Sequence, residues 1–305
     1  MPKITLQNVT GNSYFCSGVL SIGVYLHDRK ALLIDSGADD SCAKDVFNAL
    51  DEQGISVEAI INTHCHPDHC GGNSFFQKKY PDLKVFAAHD ETRFIEDPNL
   101  APRCFCSLAA PFAGLKNKYL APQRLSVVTN PITPYIDQNI EILSTTFRII
   151  TLPGHTPGSI GIITPDNVFY TGDALFGKET LQKHAILFYT DIENTLASFT
   201  KLTTLQVGAC VFYHGGIAHD LAGSANQHAE KILATKNSVY EIIRKEPISL
   251  DLLTQSIMQK HSIPNSIVSF TLTQTAMRAY LTKLESEKVI ELQVRDGLLQ
   301  AIAIN

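Results

Sequence analysis

Residues 62–72 read Asn62-Thr63-His64-Cys65-His66-Pro67-Asp68-His69-Cys70-Gly71-Gly72 and follow the apolar run Val57–Ile61. Three histidines and an aspartate within six residues, directly after a strand pattern, put four ligand-type side chains on one turn. Neutral imidazole and carboxylate suit Zn²⁺ and other first-row metals. The bland alternative, a polar loop with incidental histidines, must also account for three elements downstream. These are His155 in Leu152-Pro153-Gly154-His155-Thr156-Pro157-Gly158-Ser159, Asp173 in Tyr170-Thr171-Gly172-Asp173-Ala174, and His214 in Val211-Phe212-Tyr213-His214-Gly215-Gly216. Each sits just past a run that reads as a strand.

Together with Leu32-Leu33-Ile34-Asp35-Ser36-Gly37, these elements in this order resemble the metallo-β-lactamase superfamily, over a stretch running to about Asp220. The resemblance implies an α+β fold, the αβ/βα sandwich of that family. Carried over by motif, His64, His66 and His155 would hold one metal, Asp68, His69 and His214 a second, and Asp173 would bridge them. Two cations roughly 3.5–4 Å apart lower the pKa of a shared water toward about 7 and stabilise the charge that develops on attack. A structural zinc would instead be closed by four protein ligands. The implied nucleophile is therefore a metal-bound hydroxide, with Asp68 as the catalytic residue that orients it or moves a proton. The implied cofactors are two divalent metal ions, Zn²⁺ first, with Fe or Mn as the alternative. Asp35 resembles the family's aspartate that orients a metal-binding histidine; the other reading is a residue capping its own turn. Thr63 and Thr156 adjoin ligands and are open to the same two readings.

Departures from particular branches narrow the activity. A flavodiiron-type site would carry Glu in place of His66. True β-lactamases lack the bridging aspartate and are exported, and the 41 residues from Asp173 to His214 leave no room for the insertion domain of RNA-processing cleavage factors. Glyoxalase II resembles the chain in every metal ligand, but its last histidine has a different local sequence and its glutathione-binding tail has no counterpart after Gly216, which counts against a glutathione thioester. His214-Gly215-Gly216, the long helical pattern after it and the C-terminal unit resemble instead the compact lactamase-like hydrolases, some of whose relatives cleave single-stranded RNA. The expectation is a dinuclear metal-dependent hydrolase of an ester, thioester or lactone of a small molecule. The alternatives are a metal-dependent endoribonuclease and a mononuclear iron sulfur dioxygenase. Substrate-binding residues stay unassigned: Lys183, His184, Tyr189 and Tyr213 are candidates, with core packing the better account of Tyr213. His89 is a weaker candidate for the metal region, and His27, His184, His219, His228 and His261 read as surface or core residues. Cys65 and Cys70 read as structural, Cys104 and Cys106 as free thiols.

The 305 residues are 44% apolar and 18% charged, enough for a sizeable core in one large or two ordinary domains and far from a disordered composition. No run approaches 18 apolar residues, so no membrane helix is expected. The opening MPKITLQNVT alternates like a strand and lacks the apolar stretch of a secretory signal, which gives a cytoplasmic expectation. Seven cysteines, an odd number, argue against a disulfide framework. A net charge of −5 argues against nucleic acid or anionic lipid as partner, leaving a small-molecule substrate, with a homo-oligomer open.

Strands are expected at Ile4–Val9, Val19–Leu26, Ala31–Ile34, Val57–Ile61 and Leu83–Ala87, then in a second series from Ile140 to Tyr170 and at Ala209–Tyr213. Helices are expected at residues 40–53, 72–79, 192–205 and 221–244, the last ended by Pro247. Residues 1–246 thus form a catalytic domain and 247–305 a small winged-helix-like one: helix Ser249–Lys260, helix Thr271–Glu287, and two strands joined by Asp296-Gly297, a strong hairpin signal. From Lys245 to Asn305 six Lys+Arg face six Asp+Glu, too balanced for phosphate-driven binding.

Overall fold

Seven strands pair in chain order to make the first sheet: β1 (Thr5–Thr10), β2 (Ser13–Ser17), β3 (Ile22–His27), β4 (Lys30–Ile34), β5 (Ser56–Ile61), β6 (Lys84–Ala88) and β7 (Asn130–Ile132). The structure is a computed structural model and describes residues 4–304. β1–β4 are an antiparallel meander, whereas β4, β5, β6 and β7 run parallel and therefore need long crossovers. The first crossover is α1 (Asp40–Asp51), opened by Asp39, whose carboxylate accepts the backbone N–H of Ser41 and Cys42. The next holds the single turn α2 (Pro67–Cys70) and α3 (Asn73–Lys79), and the third α4 (His89–Glu96) and α5 (Leu100–Cys104).

The second sheet contains β8 (Gln138–Ile142), β9 (Thr145–Thr151), β10 (Ile160–Ile163), β11 (Val168–Tyr170), β12 (Ala209–Phe212) and β13 (Gly216–Ala218), adjacent in that order. The sheets face one another across a layer in which Tyr25, Leu32, Ile34 and Ile61 meet Phe147, Ile149, Ile162 and Val211. Strands such as β10 and β11 are buried on both faces and accordingly read as unbroken apolar runs. α1 and α3 cover the outer face of the first sheet. α6 (Lys178–Lys183), α7 (Ile192–Thr204) and α8 (Leu221–Ile243) cover the outer face of the second, which completes the αβ/βα sandwich.

The last residues form β14 (Ile248–Ser249), α9 (Leu250–Lys260), α10 (Ile267–Ser286), β15 (Ile290–Arg295) and β16 (Leu298–Ala303). Helix, helix and hairpin come in the expected order, and β14 adds a third strand against β16. Leu253, Ile257, Tyr280 and Leu284 of this unit share one continuous core with Phe199, Ile232 and Val239 of α7 and α8. None of the helices is long and apolar enough to cross a membrane among the described residues.

The expected strand at Val19–Leu26 is wrong at its start. Val19 is 89% exposed in a loop, β3 begins at Ile22, and an unexpected strand, β2, lies upstream at Ser13–Ser17. The turn residues Gly11-Asn12 mask that strand in the sequence. α10 begins at Ile267 rather than Thr271 because the Ser266 side chain accepts the N–H of Ser269 and caps it there.

His228 of α8 is a core residue with both ring nitrogens engaged. Nε2 accepts the Phe176 N–H at 2.9 Å and Nδ1 donates to the Ser224 carbonyl at 2.8 Å. That tautomer is neutral, and burial lowers its pKa to about 4, with a smaller push from Lys231. A folded-state pKa below the unfolded value contributes stability that is present above about pH 6.5 and lost as pH falls toward 4. The loss is expected to be on the order of 3 kcal/mol. Denaturation of metal-stripped protein across that window should show it, and His228→Gln should flatten this acid limb.

Candidate metal centre

Asp35 and the seven expected metal ligands lie at one end of the sandwich, on loops that leave the ends of β4, β5, β9, β11 and β12. Two close approaches bring these loops together. A Cβ on Gly71 would lie 2.1 Å from the Ala38 carbonyl oxygen, so α2 seats directly on the loop after β4. Gly172, at φ +54°, lets the Asp173 loop press on Thr63, whose Cβ would be 2.7 Å from a substituent there.

Asp35 is buried, and its carboxylate accepts three hydrogen bonds: Thr63 N–H at 2.8 Å, Thr63 Oγ1–H at 2.8 Å and His69 Nδ1–H at 2.7 Å. It therefore holds the loop and orients a histidine at once. With its proton on Nδ1, His69 aims the lone pair of Nε2 at Asp173 Oδ1, 3.2 Å away, yet neither buried atom has a hydrogen-bond partner. A ring lone pair and a carboxylate oxygen face to face need positive charge between them, a proton on Nε2 or a metal ion.

A second convergence of ring nitrogens lies beside it, on His66 Nδ1. His155 Nδ1 donates to the Phe188 carbonyl at 2.7 Å, which leaves Nε2 as a lone pair pointing at His66 Nδ1, 2.8 Å away. His64 Nδ1 faces Thr63 Oγ1 at 3.1 Å, whose own proton goes to Asp35, so His64 Nε2 also turns its lone pair to His66 Nδ1, at 3.0 Å. Three groups of ligand atoms, each mutually within 4.8 Å, overlap here: His64, His66 and His155; His64, His69 and Asp173; Asp68, His69 and His214. Asp173 stands between them, with Oδ2 3.5 Å from His155 Nε2 and Oδ1 3.5 Å from His214 Nε2, while Asp68 Oδ2 lies 3.2 Å from His214 Nε2.

The electrostatics divide along the same line. Burial, reinforced by neighbouring imidazoles, keeps the His64 pKa well below its usual value and takes that of His155 down to about 4. Burial also depresses His66, against the pull of Asp68 and Asp173. All three are thus neutral and ready to coordinate. For His69 burial works against charge but Asp35, Asp173 and Asp68 overcome it, and for His214 Asp173 and Asp68 lift the pKa to about 9. Conversely, His69 and His214 hold Asp68 at about 2 and Asp173 well below the carboxylate range, in both cases against desolvation. This half of the centre demands positive charge.

Other expected residues fall outside the centre. His89 is exposed and faces Asp90. Tyr189 is fully buried and donates to the Ala174 carbonyl at 3.0 Å, and Thr156 is tied to Ser159 at 2.8 Å. Tyr213 stacks on His69 at 3.8 Å and donates to the Asp68 carbonyl, so it supports two of the grouped residues from behind. Lys183 and His184 line the cleft over the centre. Cys65, Cys70, Cys104 and Cys106 are free thiols.

Glu91 of α4 has no counterpart among the residues that the sequence singles out. It is 1% exposed, and its two carboxylate oxygens accept one N–H each from the two histidine-bearing loops, Oε2 from Cys65 at 2.9 Å and Oε1 from Gly158 at 2.7 Å. The only local signal is a charged residue at a position that the amphipathic pattern of α4 turns inward, next to Ile95.

The family model of the metallo-beta-lactamase superfamily matches residues 18–214, and the chain belongs to that superfamily. Among curated proteins it is similar to the hydroxyacylglutathione hydrolase of Xanthomonas axonopodis pv. citri, 26% identical over 149 residues that cover 49% of this chain and 43% of that protein. It is also similar to the hydroxyacylglutathione hydrolase of Haemophilus ducreyi, 22% identical over 203 residues, 67% of this chain and 68% of that protein. The chain spans less than half the length of the first curated relatives it matches. A metallo-beta-lactamase family protein of Thermus thermophilus shares the fold over 100% of this chain and 99% of its own, with TM-score 0.72 and 19% identity. A beta-lactamase domain protein from Burkholderia ambifaria does so over 98% and 93%, with TM-score 0.73 and 15% identity.

Removing the Glu91 carboxylate leaves two buried N–H groups without acceptors, at about 1–3 kcal/mol each. Glu91→Ala should therefore lower the unfolding free energy by about 2–5 kcal/mol and weaken metal retention against a chelator, whereas Glu91→Gln, which keeps one good acceptor, should fall between. Denaturant titration and metal analysis after dialysis read the two effects.

Proposed function

We propose that this chain is a dinuclear metal-dependent hydrolase of an ester, thioester or lactone of a small molecule. The observation that carries the reading is the pair of buried, unpartnered acceptors His69 Nε2 and Asp173 Oδ1, flanked on one side by His64, His66 and His155 and on the other by Asp68 and His214. His64, His66 and His155 would hold the first ion, Asp68, His69 and His214 the second, with Asp173 shared. Zn²⁺ suits this nitrogen- and carboxylate-rich set best. Two such ions supply Lewis acidity toward the scissile carbonyl and a water acidic enough to be deprotonated near pH 7. The chain's own residues do the rest. Asp35, Phe188 and Thr63 fix the ring tautomers through the hydrogen bonds described above, and Asp68, 39% exposed on the cleft, is placed to take a proton from the attacking water and pass it on.

Thioesters are favoured within this class by the curated relatives, which are named for the hydrolysis of hydroxyacylglutathione, a thioester. Residues 1–246 form the catalytic unit in this reading, and 247–305 form a packing unit that walls the cleft, without a role in nucleic-acid binding. In this reading the chain is a cytoplasmic enzyme with a small-molecule substrate.

Elemental analysis of protein purified without added metal should give close to two ions per chain, and Asp173→Ala should lower this toward one with a native circular dichroism spectrum. One iron and no zinc would replace the hydrolase by an iron oxygenase. Hydrolysis should increase with pH along a limb near about 7, and Asp68→Asn should cut turnover by about 10²–10⁴. Metal-dependent cleavage of single-stranded RNA at ordinary salt, with esters and thioesters untouched, would move the assignment to a nuclease.

A further inference from the structure

The cleft over the metal centre has two largely apolar lobes that differ in charge, with His155, Phe188 and Leu272 lining both. The smaller, about 330 Å³, has His66 and Asp68 at its floor and apolar walls from Phe94, Phe105, Tyr119, Leu120 and Leu272. Glu91 also borders it, but both its carboxylate oxygens are occupied by backbone N–H groups. The larger, about 620 Å³, has Asp173 and His214 at its floor, and its walls combine apolar Phe176, Ile186, Leu187 and Ile263 with Lys183, His184 and His261. Asp173 is the one carboxylate among the described residues that line it. Lys183 has no hydrogen-bond or ion-pair partner among the described residues, and burial, with Lys183 and Lys231 nearby, lowers the His184 pKa, so that the lysine is the cation of this lobe. α10 roofs both lobes, through Leu272 and Thr275 over the smaller and Ser269, Leu272, Thr273 and Ala276 over the larger.

We infer that the substrate is amphiphilic, an ester or thioester whose apolar acyl chain occupies the smaller lobe and whose leaving group carries an anionic substituent into the larger one. The inference rests on the hydrolase reading above and specifies its substrate class. A carbonyl held over the centre has one substituent on each side, so a lobe with no Lys or Arg in its lining and a lobe that carries Lys183 direct an anionic substituent to the larger one. The reaction is balanced with water alone: oxygen from water bonds to the acyl carbon, the carbon–sulfur or carbon–oxygen bond breaks, and the departing thiolate or alkoxide takes the proton. An apolar chain gains by leaving water for the smaller lobe, about fourfold in binding per methylene. An anion in the larger lobe meets an unpaired ammonium, an interaction that salt weakens because Lys183 is exposed.

Acetyl, butyryl and hexanoyl thioesters of 3-mercaptopropionate and of uncharged 2-mercaptoethanol, given to the metal-loaded full chain, test this. From acetyl to hexanoyl kcat/KM should rise about a hundredfold, and the anionic leaving group should be preferred about tenfold, a preference that falls in high salt and in Lys183→Ala. Ala101→Phe, which intrudes on the smaller lobe, should erase the chain-length gain. Calorimetry with hexanoate and acetate gives a readout without turnover: hexanoate should bind at least tenfold tighter in the parent protein and not in Ala101→Phe. Turnover of these thioesters with no chain-length dependence in rate or binding would overturn the inference and leave the hydrolase standing. Equal use of anionic and neutral leaving groups would remove the anionic half. Chain-length-dependent binding with no hydrolysis of any ester, thioester or lactone would sink the hydrolase reading and keep the apolar lobe.

Discussion

Asp35 buries a carboxylate at the end of β4 and spends it on three donors, two from Thr63 and one from His69. A buried carboxylate is costly unless fully hydrogen-bonded, so this contact is stable only when the loops after β4 and β5 are in place together. Its φ of +65° is the left-handed conformation that aspartate tolerates better than most residues. From this one group the geometry spreads outward. Thr63 relays it to His64, and the His69 Nδ1–H bond leaves Nε2 free to face Asp173. Glu91 does comparable work between the Cys65 and Gly158 loops, by linking backbone to backbone rather than by setting a ring. Both are buried acidic residues; Asp35 fixes where a histidine ring points, and Glu91 holds together the loops that carry His64, His66 and His155.

The division of labour between the two sheets follows from where the strands end. The first sheet supplies the compact motif at residues 64–69 and the second supplies single residues, one per loop, at 155, 173 and 214. A centre made at the seam of two sheets is rigid because each side is anchored in the shared apolar layer. The walls of the cleft above it come from elsewhere, chiefly the excursion around α5 and the helix α10. Rigid chemistry below and separately encoded walls above let the substrate change without disturbing the centre, which is how one fold serves many reactions.

What the sequence made legible, and what it hid, separates on the same physical grounds. The motif from His64 to His69 is readable because its residues are contiguous and their chemistry is dense, and the sandwich is readable because doubly buried strands are apolar throughout. Isolated residues such as His155, Asp173 and His214 become legible only as an ordered set. Glu91 stays hidden because its role depends on two distant loops meeting, which no local pattern encodes. Tyr189 shows the reverse case: its position between ligands invites a substrate role, yet the fold turns it inward to the Ala174 carbonyl. β2 is lost to the turn residues just before it, and the cleft walls are invisible because Leu120 and Leu272, far apart in sequence, converge only through the docking of the C-terminal unit.

Charge links the centre to the cleft that serves it. Asp35, Asp68 and Asp173 place three carboxylates around five imidazoles, three of which stay neutral. Protons on His69 and His214 alone would leave a net negative site, and a negative site beneath an unpaired lysine would repel the anion that Lys183 attracts. In the proposed dinuclear state, two divalent ions against three carboxylates leave one net positive charge, which an attacking oxygen anion neutralises. Lys183 then extends a field of the same sign from the floor of the cleft to the wall of the larger lobe. The apolar lobe on the opposite side lowers the local dielectric around the reacting carbonyl and so strengthens that field where negative charge develops.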